Sequence, residues 1–145
     1  MEDVEKFLTD GEEEKVIEAI QKAEKETSGE VRVHIENKHN KSAMERAKEL
    51  FHILHMDNTK NDNGVLFYVS VEDKEFAIIG DKGIDDVTPD DFWENVKNRV
   101  CDEFAKGNHS DGLILGIIEA GQKLREFFPY EDDGKNELPD EITRS

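Results

Sequence analysis

The sequence has almost no cysteine, no long hydrophobic run and no signal-peptide pattern, and each absence excludes a class of protein. Cys101 is the only cysteine among 145 residues, which excludes an internal disulfide and a cysteine-based zinc site. No apolar run approaches the roughly 18 residues that a transmembrane helix requires. Charged residues follow Met1 directly, without the apolar segment of a secretory signal. We therefore expect a cytoplasmic protein with no membrane span.

Positive charge is also scarce in this chain. There are 36 acidic and 19 basic residues, and the formal net charge is -17. This charge would repel a nucleic-acid backbone, so we expect no nucleic acid among the partners. Carboxylates instead attract divalent cations, whose preference for hard oxygen ligands suits Asp and Glu. We therefore expect a monomeric protein whose partner is a divalent cation.

The centre of the chain has the pattern of two strands joined by a tight turn. Residues 65–71 are an unbroken run rich in β-branched and aromatic side chains, which predicts a strand buried on both faces. Residues 72–74 are polar and predict the turn, and residues 76–79 predict an antiparallel return strand.

An alternating segment and a helical segment precede this hairpin. Residues 30–36 alternate between polar and apolar, which predicts a first strand that is half buried. Apolar residues then recur at helical spacing from Ser42 until Leu54. A strand, a helix and a strand in this order normally give two parallel strands. The predicted fold is therefore an α/β protein, a three-layer α/β/α sandwich around a small mixed sheet.

The pattern of secondary structure ends near Pro129. We predict a single domain over residues 1–129, because the length suits one core, and an acidic C-terminal tail over residues 130–145, because periodicity is absent there. Leu138 and Ile142 are the tail residues that we expect to dock on the domain surface.

Four polar positions are predicted to meet at one edge of the sheet. Parallel strands start at the same edge, so Glu30 is expected beside Asp62 and Asn63, and the return strand ends there with Asp81. Asp111, in the loop before the last helix, is expected to join them. Carboxylates gathered in this way repel one another unless a cation or a proton lies between them, and such oxygen ligands suit calcium.

Two functions and one simpler interpretation remain for this edge. A calcium-binding module needs only a closed carboxylate site. A metal-dependent acid phosphatase acting on phosphomonoesters needs an open coordination position and a cation for the phosphate, for which Lys60, Lys82 and His109 are the candidates. The negative charge disfavours phosphate substrates, so a non-enzymatic module is preferred and no catalytic residue is assigned. The simpler interpretation is that these acids only form turns and helix caps.

Four short motifs occur in order: Thr-Ser-Gly-Glu-Val before the first strand, Asp-Asn-Gly-Val-Leu entering the second, Gly-Asp-Lys-Gly-Ile after the third, and Phe-Ala-Lys-Gly before the last helix. From about Asp10 to Pro129 the chain thereby resembles the TPM domain family. The resemblance implies an α/β/α sandwich, and calcium binding near Glu30, Asp62 and Asp81 as in some members. The family includes bacterial proteins of undefined activity, often membrane-anchored, and a plant thylakoid acid phosphatase-like protein linked to photosystem II repair.

Overall fold

The computed structural model describes residues 7–38, 40–56, 59, 62–129 and 142–144, and these residues form five helices and four strands. The elements in chain order are α1 (Asp10–Lys25), β1 (Glu30–Glu36), α2 (Ala43–Ile53), β2 (Gly64–Ser70), β3 (Glu75–Gly80), α3 (Lys82–Asp85), α4 (Phe92–Ala105), α5 (His109–Phe127) and β4 (Thr143–Arg144). Within these ranges, no helix has both the length and the apolar character needed to span a bilayer.

The four strands form one mixed sheet in the order β3-β2-β1-β4. Strands β1 and β2 are parallel, with Glu30 opposite Gly64. Strands β2 and β3 are antiparallel, with Val65 opposite Gly80. Helices pack around this sheet on both faces. The predicted α/β class and the predicted pairing of the first three strands are therefore confirmed.

Strand β4 is a two-residue strand at the edge of the sheet beside β1. It runs parallel to β1, with Thr143 opposite His34. Ile142, just before it, is 8% exposed and belongs to the main core, which agrees with the expected docking of this residue. Two residues carry no periodicity, so the strand itself was not predicted. Leu138 lies outside the described residues, and the domain boundary after Pro129 stays a prediction.

Helices α1 and α2 begin with the same reciprocal cap. The Thr9 hydroxyl accepts a hydrogen bond from the backbone N–H of Glu12, and the Glu12 carboxylate accepts one from the backbone N–H of Thr9. Ser42 and Glu45 repeat this arrangement at the start of α2. Each cap satisfies backbone donors that the first helical turn leaves without partners, so the sequence fixes where both helices begin.

The first face of the sheet is apolar and lies under α1, α4 and α5. Val31, Val33 and Ile35 of β1 point into this core and are at most 1% exposed. They pack with apolar residues from the helices, which include Val16, Ile20, Val96, Val100, Leu113, Ile117 and Leu124. This face holds the larger of the two cores.

The second face of the sheet lies under α2. Its apolar part is a smaller cluster formed by Ala47, Leu50, Phe51, Met56, Leu66, Tyr68 and Ala77. The residues of β1 on this face are polar, yet Arg32, His34 and Glu36 are all buried. All seven residues of β1 are buried, so the prediction of a half-buried strand is wrong. The alternation of the sequence reports polarity, whereas exposure depends on what covers the strand.

Candidate functional site

The strand pairing brings two of the predicted acids into one row across the sheet. Glu30 lies opposite Gly64, and the backbone N–H of Asp81 donates to the carbonyl oxygen of Gly64 at 2.8 Å. Gly64 therefore lies between the two acids. Because neighbouring strands are about 4.8 Å apart, the Cα atoms of Glu30 and Asp81 are about 10 Å apart.

Both acids of this row belong to the face that α2 covers. Val31 points into the main core, so Glu30, one residue earlier, points to the opposite face. Ile79 packs in the cluster under α2, and Asp81 follows it by two residues. A Cβ atom on Gly64 would lie 2.9 Å from the carbonyl oxygen of Met56. A backbone oxygen therefore lies over the glycine that separates the two acids.

Asp62 and Asn63 form the loop that enters β2. Asp62 is exposed and has a φ angle of 51°, a left-handed conformation that is uncommon outside glycine. Asn63 is 1% exposed, and its side-chain amide nitrogen lies 3.5 Å from the hydroxyl oxygen of Ser28. The side-chain oxygen of Asn63 is buried and has no hydrogen-bond partner among the described residues. A buried polar atom without a hydrogen bond normally lowers the stability of the folded protein.

A short helix that the sequence analysis did not predict closes the same edge. The Asp81 carboxylate caps α3 by accepting from the backbone N–H of Lys82 at 2.8 Å. The backbone N–H of Gly83 donates to the carbonyl oxygen of Asp62 at 2.7 Å, which joins α3 to the loop before β2. Four residues make little more than one turn, so α3 has no detectable periodicity. The capping aspartate was the signal that could have predicted it.

Asp85, at the end of α3, connects this edge to the only tryptophan of the chain. Its carboxylate accepts a hydrogen bond from the indole N–H of Trp93 at 2.8 Å. Burial raises the pKa of Asp85, and the hydrogen bond from Trp93 opposes that shift. The indole therefore lies in contact with α3, the helix that Asp81 caps.

The structure does not bring Asp111 to the other four predicted residues. Helix α5 begins at His109, which lines the same cavity as Val71, beyond the far end of β2. The other end of α5 lies near the acids, because the backbone N–H of Ser28 donates to the carbonyl oxygen of Phe128 at 2.9 Å. The helical rise places about 25 Å between Asp111 and Phe128. The prediction that Asp111 joins this edge is therefore corrected.

The residues that were considered for binding a substrate phosphate do not all lie at the predicted edge. His109 lies at the far end of the sheet with Asp111, so it cannot serve a ligand held by Glu30 and Asp81. Lys82 follows Asp81 directly and lies at the predicted edge. Lys60 lies outside the described residues.

The acidic and histidine side chains that the structure describes are numerous but not clustered. In the part of the chain that the structure describes, no group of three or more His, Cys, Asp and Glu side chains is arranged to hold a metal ion. The predicted edge offers oxygen atoms of other kinds as well, namely the Asn63 amide oxygen and the Met56 carbonyl oxygen.

A second polar cluster lies on the same face of the sheet, at the far end of β1. Arg46 donates two hydrogen bonds to the Glu36 carboxylate, at 2.8 and 2.9 Å, and the Tyr68 hydroxyl donates a third. Burial tends to raise the pKa of Glu36, but the hydrogen bonds from Arg46 and Tyr68 hold it below its usual value. Burial lowers the pKa of His34 to about 4. These groups satisfy one another, so we interpret the cluster as structural.

Known proteins are similar to this chain in sequence and in fold. The TPM domain family matches residues 1–123. The BA42 protein of the psychrophilic bacterium Bizionia argentinensis, solved by NMR, is 49% identical over 100% of both chains, with a TM-score of 0.90. The N-terminal domain of a protein from P. gingivalis shares the fold, with 20% identity, a TM-score of 0.71, and coverage of 87% of this chain and 83% of that one. No curated protein matches the sequence. The chain belongs to the TPM domain family.

Proposed function

We propose that this TPM domain is a calcium-binding module, and that the ion binds across Gly64 between the Glu30 and Asp81 carboxylates. The observation that carries this proposal is the glycine between two acids on one face of the sheet. Gly64 places no side chain between them, and the Met56 carbonyl oxygen lies above it. Side chains that lean toward Gly64 bring both carboxylates and this carbonyl oxygen around one position.

The available ligand atoms favour calcium over magnesium. Calcium accepts six to eight oxygen ligands of mixed type at flexible geometry, whereas magnesium requires a near-octahedral shell and keeps its waters. Asn63 adds a buried amide oxygen that has no partner among the described residues, immediately before Gly64. Asp62, in the exposed loop just before Asn63, adds negative charge to the same segment. A bound cation would relieve the repulsion among these acids and satisfy the amide oxygen.

A calorimetric titration with calcium tests the proposal. We expect saturable binding by the wild type, weaker binding of magnesium, and loss of the saturable component in Asp81→Asn. Asp111→Asn is the matched control, since it removes the same charge at the end of α5 that lies away from the proposed site. Trp93 fluorescence should follow the same titration because its indole contacts α3. An equal loss of binding in both variants would assign the heat to the diffuse acidic surface and refute the site.

Acid phosphatase activity on phosphomonoesters is the second function that we consider. It is favoured only by Lys82, a cation next to Asp81 that would hold a substrate phosphate beside a bound ion. An assay with p-nitrophenyl phosphate, with calcium and then with magnesium, tests it. Turnover that disappears in Asp81→Asn and falls in Lys82→Gln would support the enzyme. Calcium binding without turnover would refute the phosphatase and support only the calcium-binding module.

A further inference from the structure

A cavity of about 630 Å³ lies at the end of the sheet opposite the proposed calcium site. The β2–β3 turn, the end of α4 and the start of α5 enclose it. Most of its wall is apolar and consists of Val69, Val71, Phe76, Cys101, Phe104 and Ala105. Its volume and lining are those of sites that bind small molecules. Residues 64 and 70 of β2 are about 20 Å apart, so this cavity does not depend on the calcium proposal.

The polar groups of the cavity differ in whether they already have a partner. The Ser70 hydroxyl donates to the Asp73 carboxylate at 2.7 Å, and the His109 Nδ1–H donates to the carbonyl oxygen of Phe7 at 3.0 Å. Glu75 also has an interaction elsewhere. Lys74, in the turn, lines the cavity and forms no ion pair with any residue that the structure describes.

We propose that this cavity binds a small amphiphilic carboxylate. The hydrocarbon part packs against Val69, Val71 and Phe104, and the carboxylate pairs with the ammonium group of Lys74. An anion is selected over a cation because the acid at the rim, Glu75, is already engaged, whereas Lys74 forms no ion pair with a residue that the structure describes. Salt screens charges that lie more than about 10 Å away at 0.1 M ionic strength, so the distant part of the net charge of -17 opposes a bound anion only weakly.

Cys101 gives a direct readout of occupancy. It is the only cysteine of the chain, it is partly exposed, and it lines the cavity. The rate at which a neutral thiol reagent, 4,4′-dithiodipyridine, modifies Cys101 is measured in the full chain. Decanoate, kept below its micelle concentration, should slow this reaction to a saturating limit. Decyltrimethylammonium, with the same chain length and the opposite charge, should protect much more weakly.

Two variants separate the head group from the hydrocarbon part. Lys74→Gln should weaken decanoate binding about tenfold, because it removes one charge-assisted hydrogen bond. Lys48→Gln, an exposed lysine on α2, is the matched control and should change nothing. Ala105→Trp fills the cavity from the exposed end of α4 and should abolish protection by decanoate. Its thermal unfolding midpoint, compared with that of the wild type, shows that the fold is retained.

Amide shifts in a ¹⁵N–¹H spectrum locate the bound ligand. Decanoate should shift the resonances of Val71, Lys74 and Phe104 and leave those of Gly64 and Gly83 unchanged. Equal protection by the cationic amphiphile would overturn the proposal, as would unchanged affinity in Lys74→Gln. Absence of any saturable protection by decanoate would overturn it as well.

Discussion

On one face of β1, three aliphatic side chains pack under α1 and its neighbours, and on the other face Arg32, His34 and Glu36 are buried to a similar degree. The exposed fraction of Ile35 is 0% and that of Glu36 is 4%, although one residue is apolar and the next is charged. Burial alone therefore does not distinguish the two faces. They differ in what the burial requires.

Burial on the apolar face requires only that the side chains fill the available space. Ile35 has no directional partner, and its contribution follows from the area removed from water and from the absence of a cavity. The polar face requires specific partners, because a buried carboxylate is costly unless hydrogen bonds and an opposite charge compensate. Glu36 has both, from Arg46 and Tyr68. Stability on this face should therefore depend on pH and on single hydrogen-bonding atoms.

The largest expected effect is on the apolar face. Ile35→Ala should lower the free energy of unfolding by about 2 to 5 kcal/mol, because it leaves a cavity under the helices. Ile35→Val is the graded control, at about 0.5 to 1.5 kcal/mol. Urea denaturation at pH 5.5 and pH 7.5 measures both, and the losses should be the same at the two pH values. A loss that changes with pH would contradict the division between the faces.

The second effect is a pH dependence on the polar face. Burial lowers the pKa of His34 from 6.5 to about 4, while Glu36 opposes the shift and Arg46 and Arg32 add to it. Between these two values the unfolded chain binds the proton and the folded chain does not, so stability should fall as pH is lowered through this window. We expect a decrease of about 2 kcal/mol, which allows for solvent screening near Arg46.

His34→Gln removes this titration and keeps a polar side chain at the same position. The variant should therefore show a flatter profile of unfolding free energy between pH 6.5 and pH 4 than the wild type. Chemical denaturation at half-unit pH steps supplies both profiles. Parallel profiles would mean that other groups cause the pH dependence and that His34 does not make the stability of the polar face depend on pH.

The sequence predicted the apolar face of β1 well, because Val31, Val33 and Ile35 are spaced two residues apart. In a strand this spacing alone places all three side chains on one face. It could not predict that the polar face is buried. Glu36 and its partners Arg46 and Tyr68 are separated by 10 and 32 positions, so their contact exists only after folding.

The same limit applies to the positions of the acids that were predicted for this edge. Parallel pairing and the hairpin follow from local patterns, and they place Glu30 and Asp81 on either side of Gly64. Asp111 was misplaced because its location depends on which end of α5 lies near Ser28, just before β1. No local pattern of the sequence indicates the orientation of α5 relative to the sheet, because only the packing of the helices determines it.

The smallest expected effect is that of one oxygen atom on the polar face. Tyr68→Phe removes the hydroxyl that donates to Glu36 and keeps the ring, while both hydrogen bonds from Arg46 remain. We expect a loss of about 1.5 kcal/mol at pH 7, at the low end for a hydrogen bond to a charged group. Phe67→Tyr is the reciprocal control, since Phe67 is the preceding residue of β2 and points into the apolar core. Adding a hydroxyl there should lower the free energy of unfolding at least as much as removing it from Tyr68, because the hydroxyl would be buried among apolar side chains. If both substitutions leave the urea midpoint unchanged, single polar atoms do not distinguish the two faces.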